Sequence, residues 1–316
     1  MPVPLYTQTV IAFLWDFDRT LIPGNQQDPL FEEYGVDADA FWTEVDGLSD
    51  YHRRRGVAIS RDIAYLLHIL TYVEQGKFPG LTNAKLRELG ARIEPAPGIP
   101  DFLEATRAHM RSVPAYAAQG ITVEHYAVST GIRPMIEGSC IAPHLDGIWA
   151  NAFIEQPAPP GYVDTLDVAS GESPITHLGY VIDNTAKTRA VFEINKGVNV
   201  NPSIDVNARM SEEQRRVPIR HMIYIADGPS DVPCFSILNQ RGGTTLGVYT
   251  TEPANNFRQV KDLQEQGRIQ GMAKADFREG EAAYLWLMDS LDQIAEEILE
   301  ARTAAFSTIQ NPPGHI

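Results

Sequence analysis

The chain has 316 residues, with 26 basic against 41 acidic side chains and a formal net charge of −15. Its length points to one large domain or a core with an insertion, and its 43% hydrophobic and 21% charged content argues against a disordered or fibrous chain. A pI near 4.9 argues against a nucleic-acid binder, which needs clustered Lys and Arg to hold phosphates.

The same charge repels an anionic small substrate unless a cation intervenes locally. Two cysteines, Cys140 and Cys234, are too few for a disulfide framework or a thiolate zinc site. The opening MPVPLYTQTV carries no basic residue and no long apolar stretch, so no export signal is expected. Apolar stretches such as Ile63–Leu70 are far shorter than a membrane span and are interrupted by His68. The expectation is a soluble cytoplasmic protein with neither membrane nor nucleic acid as partner.

In chain order, Val10–Trp15 is a continuous apolar run that breaks into Asp16-Phe17-Asp18. Similar runs are Val123–Val128, Met222–Ala226 and Thr245–Tyr249, with a weaker one at Gly271–Ala275. Short runs that are apolar throughout read as strands buried on both faces of a parallel sheet. Helical patterns lie between and after them, at Ile99–Met110, Thr185–Ile194, Val232–Leu238 and Glu281–Ala301. The alternation predicts an α/β fold with a doubly wound, Rossmann-like parallel sheet. From Pro23 to Pro95 the alternation stops. Phe31–Tyr34, Ala40–Val45, Ile63–Val73 and Ala84–Leu89 read as helical pieces. The expected division is a core of residues 1–22 and 96–316 with a helical insertion, 23–95, after the first strand. Glu155–Pro174 and Gly197–Arg220 are polar, pattern-poor segments expected to form loops.

The sharpest local signal is Asp16-Phe17-Asp18-Arg19-Thr20 after the first strand. Ligands of open α/β sheets sit at the carboxyl ends of strands, although acids also commonly end strands and cap turns. The pattern recurs at Ile223-Tyr224-Ile225-Ala226-Asp227-Gly228-Pro229-Ser230-Asp231. If the two strands are neighbours, the carboxylates converge and repel, by about 4 kcal/mol per pair at about 4 Å and an effective dielectric of about 20. A hard divalent cation relieves this, and Mg²⁺ suits one or two carboxylates plus a substrate phosphate. Between the two acidic pairs, Ser129-Thr130-Gly131 ends a strand with hydroxyls and backbone N–H groups suited to a phosphoryl oxygen. Asp183-Asn184-Thr185 opens a helix with an Asn or Thr cap, with Lys187 in its first turn. Taken singly, Ser129 reads as a turn residue and Lys187 as a solvated amine.

In this order, Asp16-Phe17-Asp18-Arg19-Thr20, Ser129, Lys187 and Asp227–Asp231 resemble the motifs of the haloacid dehalogenase superfamily of aspartate-nucleophile phosphohydrolases. Lys196 is a second candidate for the lysine. The insertion has the position of that family's helical type 1 cap, and Ala150-Asn151-Ala152-Phe153 resembles a segment of the phosphoserine-phosphatase-like branch. The resemblance implies Asp16 as nucleophile and Asp18 as general acid and base, positioned by Thr20. It implies Ser129 and Lys187 on the phosphoryl oxygens, and Mg²⁺ on Asp16, the Asp18 backbone carbonyl and Asp227, with Asp231 as a further ligand. The expected activity is hydrolysis of a small phosphorylated metabolite. The alternatives are a phosphomutase or phosphotransferase, or a non-catalytic phosphometabolite-binding module. For specificity the sequence offers Arg53 and Arg54, within the basic run His52–Arg55, and Arg133 after Ser129, with an exposed or salt-bridged helix face as the plainer reading of the run. Trp15 and Phe17 read as core.

Overall fold

The alternation of strands and helices is present in the computed structural model, which describes residues 7–164, 173–251 and 255–310. The first six residues of the opening MPVPLYTQTV and residues 165–172 of the expected loop Glu155–Pro174 lie outside the described residues. The strands are β1 (Val10–Trp15), β2 (Thr122–Ile132), β3 (Gly147–Ile154), β4 (His177–Tyr180), β5 (Met222–Ala226), β6 (Thr244–Tyr249) and β7 (Gly271–Lys274). They form one seven-stranded sheet in the order β4-β3-β2-β1-β5-β6-β7. All pairings are parallel except β4 against β3.

The strand order reverses direction at β1, which lies between β2 and β5. Trp15 is in register with Ala127 on one side and Ile225 on the other. The expected neighbour relation of the two acid-bearing strands is therefore present. A switch point of this kind opens a crevice at the strands' carboxyl ends.

The helices are α1 (Asp28–Tyr34), α2 (Ala38–Arg53), α3 (Ala64–Glu74), α4 (Asn83–Gly90), α5 (Asp101–Ser112), α6 (Pro114–Ala118), α7 (Arg133–Gly138), α8 (Lys187–Lys196), α9 (Val232–Gln240), α10 (Asn255–Glu265) and α11 (Ala282–Gln310). The period-two alternation of strand side chains sorts the core into two layers. Ile11, Phe13 and Trp15 of β1 join Ile223 and Ile225 of β5 on the face covered by α5 and α11. Ala12 and Leu14 join Tyr224 and Ala226 on the face covered by α8, α9 and α10. Each large apolar side chain buried this way contributes about 1.5–3 kcal/mol. Trp15 and Phe17 are both fully buried.

Helices α1 to α4 occupy the interval between β1 and α5. Phe31, Phe41, Leu66, Ile69 and Phe78 extend the same apolar cluster that covers the sheet. α4 meets α7 almost backbone to backbone. A Cβ on Gly90 would lie 2.1 Å from the Met135 carbonyl oxygen, and one on Gly138 would lie 1.9 Å from that of Arg87. Only glycine permits this approach.

Candidate active site

The site begins where β1 ends. The Asp16 backbone N–H donates to the Ile225 carbonyl at 2.9 Å, which seats the first acid against β5. The chain then turns sharply through Phe17–Leu21, with Arg19 in the left-handed region at φ 56°. A non-glycine residue held there costs about 1–2 kcal/mol. The turn closes with the Arg19 N–H donating to the Gly24 carbonyl at 3.2 Å. Thr20 does not hold Asp18, contrary to what the resemblance implies. Asp18 Oδ1 accepts the Gln26 backbone N–H at 2.8 Å and its Oδ2 accepts Gln26 Nε2 at 3.4 Å. The Thr20 hydroxyl is buried and makes no hydrogen bond. In so tight a turn the next polar segment meets the carboxyl group before a side chain two residues away can fold back.

The β5 side supplies the rest. Asp227 follows the strand tip, and Asp231, fully buried, precedes α9. One carboxylate oxygen from each of Asp16, Asp227 and Asp231 lies within 4.8 Å of the others. Lys187 Nζ donates to Asp16 Oδ1 at 2.9 Å and to Asp231 Oδ1 at 2.7 Å. This lysine is fully buried, so the solvated-amine alternative is wrong. Lys196 instead donates to the backbone carbonyls of Val206 and Ala208, which leaves Lys187 as the lysine of the site. The cap of α8 also differs from expectation. Ala186 occupies the cap position without a side-chain cap bond, and Asp183 accepts the Ala186 N–H at 2.6 Å in the turn that precedes the helix. Tyr224 and Ser230 donate their hydroxyls to Asp231 at 2.6 and 2.7 Å, and Asn256 Nδ2 donates to Asp227 Oδ2 at 3.2 Å.

Burial raises the Asp16 pKa to about 7, with Lys187 pulling it down and Asp231 and Asp227 pushing it up. Burial likewise raises Asp227 to about 7, reinforced by Asp231. It raises Asp18 to about 7, where the Asp16 charge adds and the Gln26 hydrogen bonds subtract. Burial opposes the charge on Lys187, but the Asp16 and Asp231 carboxylates outweigh it and keep the ammonium charged far above its ordinary range.

Ser129 is fully buried near the tip of β2, and its Oγ accepts the Gly131 N–H at 2.9 Å. The Thr130 carbonyl accepts Tyr65 OH from α3 at 2.6 Å and Asn151 Nδ2 from β3 at 2.5 Å. Beside Asp18 opens a cavity of 270 Å³ whose walls include Asn25, Trp42, Asp46, Arg61, Asp62 and Tyr65. The expected specificity arginines do not line it. Arg53 is exposed and paired with Asp50 at 2.8 Å. Arg54 is exposed at the end of α2. Arg133 is exposed and paired with Glu137 at 2.7 Å. The cation on this wall is Arg61.

Sequence reasoning missed Gln26, Arg61, Tyr65, Tyr224 and Asn256. The phenol of Tyr224 inside an otherwise aliphatic run was a usable signal. The others carried none, being single polar or aromatic residues whose partners are distant in sequence.

No family model matches the chain. Solved structures that resemble it include the following three. A HAD-family hydrolase from Salmonella enterica serovar Typhi is 13% identical, with a TM-score of 0.48 over 86% of this chain and 68% of that one. A probable phosphoserine phosphatase from Vibrio cholerae is 12% identical, with a TM-score of 0.49 over 93% and 68%. A phosphoserine phosphatase held as an analogue of its phospho-aspartyl intermediate is 15% identical, with a TM-score of 0.47 over 85% and 96%. The chemistry of the present site rests on its own geometry, not on these likenesses. The sheet has the doubly wound architecture expected from the sequence, and its central strands bring Asp16, Lys187, Asp227 and Asp231 together. Much nearer in sequence is an uncharacterized protein of Borreliella burgdorferi, 37% identical over 288 residues, which are 90% of this chain and 97% of that one. At that identity over nearly the whole of both chains, the protein belongs to the family of this Borreliella burgdorferi protein.

Proposed function

We propose that the chain is a Mg²⁺-dependent phosphatase of the haloacid dehalogenase type, hydrolysing a small phosphomonoester through an aspartyl-phosphate on Asp16. The observation that carries this reading is the convergence of Asp16, Asp227 and Asp231 within 4.8 Å, with Lys187 bridging two of them. The donor set fits a hard divalent cation, since it offers only oxygen and its one ammonium leaves the buried acids under-neutralised. Asp16, Asp227 and the Asp18 backbone carbonyl would hold Mg²⁺. Both oxygens of Asp231 are engaged by Lys187, Tyr224 and Ser230, which suits it to a supporting place. When bound, Mg²⁺ would offset charge on the phosphoryl oxygens.

The chain's own residues supply the remaining roles. A carboxylate oxygen of Asp16 attacks phosphorus, and the bond from phosphorus to the leaving oxygen breaks. Asp18 gives its proton to that oxygen. It then takes a proton from water as the water attacks phosphorus, which releases inorganic phosphate and restores Asp16. A carboxyl group with a pKa of about 7 suits both transfers. Lys187 and the Ser129 hydroxyl would hold the equatorial oxygens. Residues 23–95 would act as the cap that contacts the leaving group.

The test is phosphate release from p-nitrophenyl phosphate and a panel of phosphorylated metabolites with Mg²⁺, with Asp16→Asn as control. Turnover by the wild type and none by the variant is expected. Phosphosugar isomerisation without phosphate release would indicate a mutase. Phosphate binding without any hydrolysis would indicate a binding module and overturn the hydrolase reading.

A further inference from the structure

We propose that Gln26 is a positioning residue that fixes the Asp18 carboxyl group against the end of β2, and that Gly131 lacks a side chain in order to admit it. The proposal rests on the hydrolase reading, in which Asp18 moves the proton.

Gln26 lies in the segment leading from the turn after β1 into α1, and it is fully buried. Among the described residues it is the one that donates hydrogen bonds to the Asp18 carboxyl group, through its backbone N–H at 2.8 Å and through Nε2 at 3.4 Å. Its Oε1 accepts the Ile132 backbone N–H at 2.7 Å. That N–H fixes the orientation of the amide. A donor on β2 requires the carbonyl oxygen to face it, so the NH₂ group faces Asp18. One side chain thus ties the proposed acid to the strand that carries Ser129.

The space it fills exists because residue 131 is glycine. A Cβ there would lie 1.6 Å from Gln26 Nε2 and 2.5 Å from its Cδ. The amide is held at both ends, so it cannot yield to a methyl group without releasing Asp18 or Ile132. An acid that must first donate and then accept a proton gains from a fixed rotamer, since small misplacements of catalytic groups cost up to about 100-fold in rate.

The test uses the full chain, p-nitrophenyl phosphate and Mg²⁺. Gln26→Met keeps the volume and loses both amide bonds. It is expected to lower kcat by about 10- to 100-fold with KM within about twofold. Gly131→Ala is expected to fall to a similar level. Gln26→Ala removes the obstructed group, so Gln26→Ala/Gly131→Ala should be no worse than Gln26→Ala alone. Gln26→Ala also serves if Gln26→Met does not fold. A kcat near wild type in Gln26→Met, or losses that multiply in the double variant, would overturn the proposal. A wild type that hydrolyses nothing would instead overturn the hydrolase reading. Crystal structures then judge the clamp, with an unchanged Asp18 rotamer in the Gln26 variant counting against it.

Discussion

Asp18 stands between two unlike walls. On the β5 side, Asp16, Lys187 and Asp231 are buried and bonded to one another. On the side of the helical segment, Asp46, Arg61 and Asp62 line the 270 Å³ cavity, each at least partly exposed and without an ion pair among the described residues. The first wall has its charges already arranged, as a group that must act on every turnover requires. The second carries charges of both signs on side chains open to solvent. Burial and mutual bonding mark one wall, and exposure the other.

The contrast can be broken most sharply at Asp18. Asp18→Asn removes the proton donor while keeping the shape, and should lower kcat by about 10²- to 10⁴-fold in steady-state assays with an aryl phosphate. A rate near wild type would remove Asp18 from the mechanism. Next comes Lys187→Met, which leaves two buried carboxylates uncompensated. A loss of about 3–5 kcal/mol in denaturant unfolding near neutral pH is expected, in the range for breaking a buried ion pair. The loss should shrink in acid, where the carboxyl groups take up protons. An unchanged midpoint would mean that the buried wall does not depend on this lysine.

A smaller effect links pH to metal. Asp16, Asp18 and Asp227 all have folded pKa values raised from 3.8 to about 7. The folded state therefore binds these protons more tightly than the unfolded chain, and without metal stability declines as pH rises from 3.8 through about 7. Mg²⁺ competes with the protons, so the rise in Tm that it produces should be larger at about pH 8 than at about pH 5. Equal rises at both pH values would detach the metal from these acids. The smallest expected change is on the open wall. Arg61→Ala should raise KM several-fold for an anionic natural substrate and leave kcat for p-nitrophenyl phosphate nearly unchanged. An equal loss in kcat would move Arg61 into the buried wall's business.

The difference between the walls also explains what could be read in advance. β1 and β5 are uninterrupted apolar runs because both of their faces are covered, and such runs are visible without context; β6, with two threonines, and the edge strand β7, which ends in the exposed Lys274, are weaker versions of the same signal. β4 was not visible, because His177–Tyr180 is a short edge strand with largely exposed side chains. α10 escaped notice because Asn255–Glu265 is polar apart from the few residues that pack. Asp16, Asp18, Asp227 and Asp231 stand out because they follow apolar runs at strand tips, whereas Ser129 and Lys187 stand out only through their order along the chain and the family resemblance. Gln26, Tyr65 and Arg61 become neighbours of Asp18 only through the path of the helical segment, which no periodicity encodes. The basic run at His52–Arg55 is an exposed, partly salt-bridged helix end, as the plainer of its two readings has it, because density of charge is a surface property. Arg61, a lone cation, reaches the cavity through the chain's course after α2.

The glycine contacts between α4 and α7 bear on how the second wall can move. Helices touching at carbonyl-to-glycine distance have no side chains between them to slide or repack, so they shift as one piece or not at all. The α4–α7 contact therefore ties the end of the helical segment directly to the helix that follows β2, with no side chain interposed.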